Sequence, residues 1–164
     1  MKTFGFAGWS GSGKTTLIEQ LIPRFLKQGI KVSLIKHAHH TFDVDKEGKD
    51  SYRHRQAGAT EILVTSSRRW VLMHELRGAP EPTFEEHLRH ISPCDLVLVE
   101  GFKHAPIPKL EVWRAVTGEA MLHPNDPHIV GIATDSPVQT KLPILQLDDH
   151  DAIAAFILRS LKLS

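Results

Sequence analysis

The run Gly8-Trp9-Ser10-Gly11-Ser12-Gly13-Lys14-Thr15 constrains this chain more than any other feature, because it sets a glycine-rich turn between a strand pattern and a helix pattern. Its spacing is Gly, four residues, then Gly-Lys-Thr. In such a loop the backbone N–H groups turn toward bound phosphates. Gly8, Gly11 and Gly13 allow tight dihedrals and close approach, Lys14 places a cation on the terminal phosphates, and the Thr15 hydroxyl is a ligand for Mg²⁺. The loop demands a strand before it and a helix after it, and both are readable. Residues 2–8 form the strand, and residues 14–28 the helix, with Leu17, Ile18, Leu21, Ile22, Phe25 and Leu26 in one apolar stripe and Gly29 as its stop. Pro23 lies inside that stripe. A proline in a helix interior costs about 3 kcal/mol, so a kink or break is expected there.

A second strand over 31–37 completes a strand-helix-strand unit. The continuous apolar stretches at 32–35 and 96–99 suit strands buried on both faces, which places both in the interior of a mostly parallel sheet. Further strands are expected at 61–66, 70–76, 109–116 and 129–133. Helices are expected at 83–91, opened by Thr83 with Glu86 three residues on, and at 149–161. The Ala79-Pro80-Glu81-Pro82 run is a connector. Alternating strands and helices predict the α/β class, a three-layer P-loop NTPase fold with helices flanking a mostly parallel sheet and right-handed crossovers. With 164 residues and no internal repeat, the expectation is one nucleotide-binding domain over 1–164.

Composition narrows the function classes. Twenty Lys and Arg against nineteen Asp and Glu leave a formal charge of +1, which supplies no general attraction to nucleic acid or to an acidic membrane. Anion binding must therefore be local. No apolar run approaches the roughly 18 residues of a membrane span, and the N-terminus lacks the pattern of an export signal. Cys94 is the only cysteine, so no internal disulfide is possible and a reducing, cytoplasmic location is expected.

The metal of a phosphate loop needs an acid from across the site, at the end of an apolar strand. Leu96-Val97-Leu98-Val99-Glu100-Gly101 offers Glu100, to hold Mg²⁺ through water or to orient a water near the terminal phosphate. Lys36-His37-Ala38-His39-His40, followed by Asp43, Asp45, Lys49, Asp50, Ser51, Arg53, His54 and Arg55, starts at the carboxyl end of the second strand, where open α/β sheets carry ligands. Asp45 or Asp43 is a candidate for the metal shell. The histidines also permit a transition-metal site, though the spacing supplies no fourth ligand. Gly131-Ile132-Ala133-Thr134-Asp135 ends a late strand with an acid able to accept hydrogen bonds from guanine N1–H and the 2-amino group, which would select GTP; a turn cap before Pro137 is the plain alternative.

Together, the phosphate loop, Ile35-Lys36-His37-Ala38-His39-His40, Asp45 with Gly48-Lys49-Asp50-Ser51-Tyr52, Ala57-Gly58-Ala59 and Val99-Glu100-Gly101-Phe102-Lys103 resemble the MobB family of molybdopterin-guanine dinucleotide biosynthesis adaptor proteins. The resemblance spans nearly the whole chain. It implies a GTPase fold, GTP and Mg²⁺ as ligands, weak hydrolysis, a homodimer, and assistance to MobA, the guanylyltransferase that attaches GMP to molybdopterin. Carried over by position, it implies nucleotide contacts at Gly11, Ser12, Gly13, Lys14, Thr15 and Thr16, with Asp45 and Glu100 near the metal and Asp135 at the base. Lys14 and Glu100 are the catalytic candidates. The usual Asn-Lys-x-Asp guanine motif is replaced here by Ala-Thr-Asp. Two other readings use the same loop. One is a small-molecule kinase with Arg53 and Arg55 on the migrating phosphoryl group and Arg68-Arg69 in a lid; the other is a metal-inserting GTPase using the histidines at 37–40.

Overall fold

The structure is a computed structural model, and it describes residues 1–38 and 42–163. The chain divides into two compact units. One comprises Met1–His37 together with the chain from Phe84 onward, and the other is Ala38–Thr83.

The first unit is built on a six-stranded sheet made from β1 (Lys2–Ala7), β2 (Val32–Lys36), β5 (Leu96–Glu100), β6 (Lys109–Trp113), β7 (Ile129–Thr134) and β8 (Ile144–Gln146). The strand order is β2-β5-β1-β6-β7-β8, and every neighbouring pair is parallel. Period-2 alternation sorts the side chains onto two faces. Phe4 and Phe6 of β1, Leu96 and Leu98 of β5, and Leu110 and Val112 of β6 point to one face. They pack there with Leu17, Ile18, Leu21 and Phe25 of α1 (Lys14–Lys27) and with Ile153, Ile157 and Leu161 of α4 (His150–Leu161). On the other face Val97 and Val99 meet Phe84 of α3 (Phe84–Arg89), Ala105 and Ile107. A mostly parallel sheet between helical layers is therefore the architecture, as the sequence predicts.

Three local expectations are corrected. The apolar run at 32–35 does not reach the sheet interior. β2 is an edge strand paired only to β5, and its Leu34 is 41% exposed. Pro23 does not break α1, which runs unbroken to Lys27. Pro23 forfeits one backbone donor, but Leu21 and Phe25 on either side of it are fully buried and hold the turn in place. Gly29 then ends the helix, its amide donating to Leu26 while the Ile30 amide donates to Phe25. Finally, the strand expected over 109–116 stops at Trp113, and Ala115–Thr117 forms a 3₁₀ turn.

Two elements were not foreseen. β8 has only three residues, and its register on β7 is carried by backbone pairing. The other is α2 (Asp50–Gln56), in the second unit. There α2 packs on β3 (Glu61–Thr65), which pairs antiparallel with β4 (Trp70–His74). Ile62 and Met73, opposite each other across the hairpin, are buried, whereas Leu63, Val64, Trp70 and Leu72 are exposed.

Candidate nucleotide site

The phosphate loop leaves the carboxyl end of β1 in the middle of the sheet, flanked by the ends of β5 and β6. Its first glycine is required by space. At φ +145°, a Cβ on Gly8 would lie 2.4 Å from the Val112 carbonyl oxygen and 2.8 Å from Ser12 Oγ. The loop turns through Gly11 and Gly13, both at positive φ, and Gly13 becomes the N-terminal boundary of α1. Among the described residues no side chain caps that helix end and no acid lies in its first turn, so its positive end faces the loop uncompensated.

Three observations test whether a phosphate group fits these residues. Ser12 is 2% exposed, and its hydroxyl has no hydrogen-bond partner among the described residues, which a buried polar atom rarely tolerates. Lys14 curls back over the loop, its Nζ donating to the carbonyls of Gly8 at 2.9 Å and Trp9 at 2.8 Å. Burial lowers its pKa from the ordinary 10.5, Glu100 opposes that shift, and the charges of Lys103 and Lys36 add to it. Thr15 and Thr16 lie exposed on the first helical turn. A tight backbone cradle, an orphaned hydroxyl and a crowded ammonium suit an anion with several acceptor oxygens.

Opposite the loop, the Thr15 hydroxyl donates to Glu100 Oε1 at 2.9 Å, joining two of the three predicted metal residues although 85 positions separate them. Alternation explains the meeting, because Glu100 shares the α1 face of β5 with Leu96 and Leu98. Lys36 Nζ lies 3.4 Å from Glu100 Oε2, so the carboxylate has a cationic partner although only 8% of the residue is exposed. A hydroxyl and a carboxylate are the hard oxygen donors Mg²⁺ takes, and Mg²⁺ commonly fills its remaining positions with water and phosphate oxygens.

The remaining sequence candidates have partners of their own. Asp45 belongs to the second unit, where its two oxygens accept from Arg55 at 3.1 and 2.8 Å. Asp43 and Glu75 also flank Arg55, and the Tyr52 ring lies 5.1 Å from its guanidinium carbon. This arginine, assigned to phosphoryl chemistry in the kinase reading, is thus neutralised within its own unit. His39 and His40 lie outside the described residues, and among the described residues no three His, Cys, Asp or Glu side chains gather as a metal site. Asp135 ends β7 as expected. Arg114 Nε donates to it at 2.7 Å and Ser136 Oγ at 2.9 Å, and these contacts hold its carboxyl below the usual carboxylate range. No spacing marks Arg114 as its partner, since the two are 21 residues apart and meet only because β6 and β7 are neighbours.

With this geometry in view, comparison with known proteins is decisive. The model of the family described as "MobB: Molybdopterin guanine dinucleotide synthesis protein B" matches residues 3–135. This chain belongs to the MobB family. It is similar to the molybdopterin-guanine dinucleotide biosynthesis adapter protein of Escherichia coli (strain K12), at 42% identity over 158 residues, covering 93% of this chain and 89% of that protein. The adapter protein of the same name from Haemophilus influenzae is 41% identical over 156 residues, covering 93% and 85%. Among solved structures, Bacillus subtilis MobB superposes over the whole of both chains with a TM-score of 0.76 and 25% identity. The matched residues of the MobB model take in the phosphate loop, the strand ending in Glu100 and, at their limit, Asp135.

Proposed function

We propose that this chain is a GTP-binding adapter in molybdopterin guanine dinucleotide synthesis. In this reading it holds Mg²⁺-GTP in the Gly8–Thr16 loop, hydrolyses it slowly, and assists the guanylyltransferase MobA. The observation that carries the proposal is the Thr15–Glu100 pair set beside a complete phosphate loop in a chain of the MobB family. The Gly11, Ser12 and Gly13 amides and the Lys14 ammonium bind phosphate oxygens. The Thr15 hydroxyl and the Glu100 carboxylate hold Mg²⁺, which supplies charge neutralisation of the phosphates when bound. Thr16 adds a hydroxyl at the same helix end. Asp135, oriented by Arg114 and Ser136, reads the guanine edge with the lone pairs those donors leave free.

Slow turnover follows from the same arrangement. Glu100 is committed to Thr15 and Lys36, which leaves it poorly placed to orient an attacking water as well. A nucleotide that is held longer than it is hydrolysed suits an accessory protein. A homodimer is supported by the β3–β4 hairpin, because an isolated two-stranded hairpin with exposed Leu63, Val64, Trp70 and Leu72 gains stability by being covered. We place the protein in the cytoplasm, where the pathway's nucleotide is available; no helix among the described residues is long and apolar enough to cross a membrane.

The experiment is capture of purified guanylyltransferase on the immobilised protein, with GTP, with GDP and without nucleotide. Retention that depends on GTP supports the adapter role. Absence of a complex under all three conditions would overturn it.

A further inference from the structure

Three residues beyond Glu100 the chain comes back to the phosphate loop. Gly101 at φ +95° and Phe102 at φ +43° make the reversal, and both lie in the left-handed region. At Gly101 no side chain fits, since a Cβ would lie 2.7 Å from His37 Cβ. Phe102 is an unusual occupant of that region, and a bulky residue keeps such a conformation only where its surroundings enforce it. Here the rings of His37, Phe84 and His87 surround it, with centroids at 4.8, 5.4 and 5.6 Å. The backbone turn is therefore fixed by packing, and what it delivers to the loop is Lys103.

Lys103 Nζ stands 4.8 Å from the centroid of the Trp9 ring. That ring is itself fixed. Trp9 Nε1 donates to the Ala120 carbonyl at 2.7 Å, while the Trp9 carbonyl accepts from Lys14 Nζ at 2.8 Å. Two ammonium groups thus flank one residue of the phosphate loop. A third ammonium, Lys36 Nζ, lies 3.4 Å from Glu100 Oε2, the carboxylate that also accepts from Thr15 of the loop helix. Gathering like charges is unfavourable unless an anion offsets it. A lysine that merely shielded the indole would lay its stem on the ring and send its ammonium into water. In this site the ammonium itself is over the ring.

We propose that Lys103 is a second phosphate-binding lysine, stacked on Trp9 in the nucleotide-free protein and moved onto the terminal phosphate when a nucleoside triphosphate binds. This rests on the nucleotide-binding reading above. Its consequence is selectivity for the triphosphate over the diphosphate, because Lys103 shares Trp9 with Lys14, the cation assigned to the terminal phosphates. The assignment also gives the Phe102 turn a purpose, since a rigid reversal presents the lysine at a constant position.

The test measures calorimetric affinities for GTP and GDP, each with Mg²⁺, for the wild-type protein and for Lys103→Met, Lys103→Gln and Lys103→Arg. Loss of one charge-assisted contact predicts that Lys103→Met and Lys103→Gln weaken GTP binding roughly tenfold to a hundredfold, with GDP binding changed by less than about twofold. Lys103→Arg should retain most of the GTP preference. Indole emission should also change on GTP binding as the lysine leaves Trp9, and change less with GDP. A wild-type GTP-to-GDP ratio in both neutral variants overturns the proposal, and so does an equal loss for both nucleotides, which would make Lys103 a support of the loop. If the wild-type protein binds neither nucleotide, the underlying reading fails and the proposal fails with it.

Discussion

Replacing Gly8 with alanine separates two reasons for glycine in this loop. The new Cβ would lie 2.4 Å from the Val112 carbonyl oxygen, a backbone atom of β6 that cannot retreat without disturbing the β1–β6 pairing at Ala7 and Glu111. A φ of +145° is also foreign to alanine. The dihedral costs about 1–3 kcal/mol and the forced repacking about 1–3 kcal/mol, so the total is roughly 2–6 kcal/mol. At about 2–4 °C per kcal/mol for a domain of this size, the melting temperature should fall by roughly 4–24 °C. Gly11→Ala is the matched control. Gly11 sits at φ +76° with nothing within 4 Å of its would-be Cβ, so only the dihedral cost of about 1 kcal/mol applies. Thermal unfolding of both variants without nucleotide, followed by circular dichroism, makes the comparison. Equal melting temperatures would refute the steric argument, because both variants pay the dihedral cost and only Gly8 meets backbone.

Glu100→Gln keeps an oxygen able to accept from Thr15 but loses the charge paired with Lys36; GTP affinity with Mg²⁺ should weaken by less than the roughly hundredfold slowing of single-turnover hydrolysis, and an unchanged rate would remove Glu100 from metal positioning. Asp135→Ala should cut the preference for GTP over ATP by about tenfold or more, read by competition binding; a preserved preference would leave Asp135 as a partner of Arg114 alone. Acid sensitivity has a specific source at Asp126. Burial raises its pKa, but the hydrogen bonds from Lys109 Nζ and the His128 amide outweigh burial and hold it below 3.8. A carboxylate with a depressed folded pKa adds stability above its unfolded value and loses it as pH falls through the folded one. Asp126→Asn should therefore flatten the loss of urea stability below pH 3.8, and an unchanged slope there would contradict the assignment.

The parts of the fold legible in the sequence are those governed by local pattern. The loop, α1, β5 with its terminal acid and α4 each carry a periodic signal, and the Thr15–Glu100 pair follows once the strand-loop-helix unit is placed beside an apolar strand ending in Glu. Position within the sheet was less legible. Val32, Leu34 and Ile35 around Ser33 read much like the buried β5, yet strand order makes β2 an edge, and order is a property of the whole topology. β6 misleads in the opposite direction. Lys109 and Glu111 look like solvent-facing residues of an alternating strand but are 1% and 0% exposed. Their side of the sheet is covered by the connection to β7, where Lys109 meets Asp126 at 2.8 Å and Glu111 accepts from the amides of Leu122 and His123. A polar network replaces the helix that an apolar strand would have required there. In the site, Arg114 and Lys103 acquire roles through partners on distant strands and turns, which no spacing reveals.

The central claim is that the Gly8–Thr16 loop binds GTP with Mg²⁺ held by Thr15 and Glu100. Calorimetric titration of GTP into the wild-type protein and Lys14→Ala, each with and without Mg²⁺, tests it most directly. Wild-type binding should be saturable, strengthen with Mg²⁺ and disappear in Lys14→Ala, the variant melting as a folded protein. Near-wild-type affinity in that variant, or no binding by the folded wild-type protein, would contradict it.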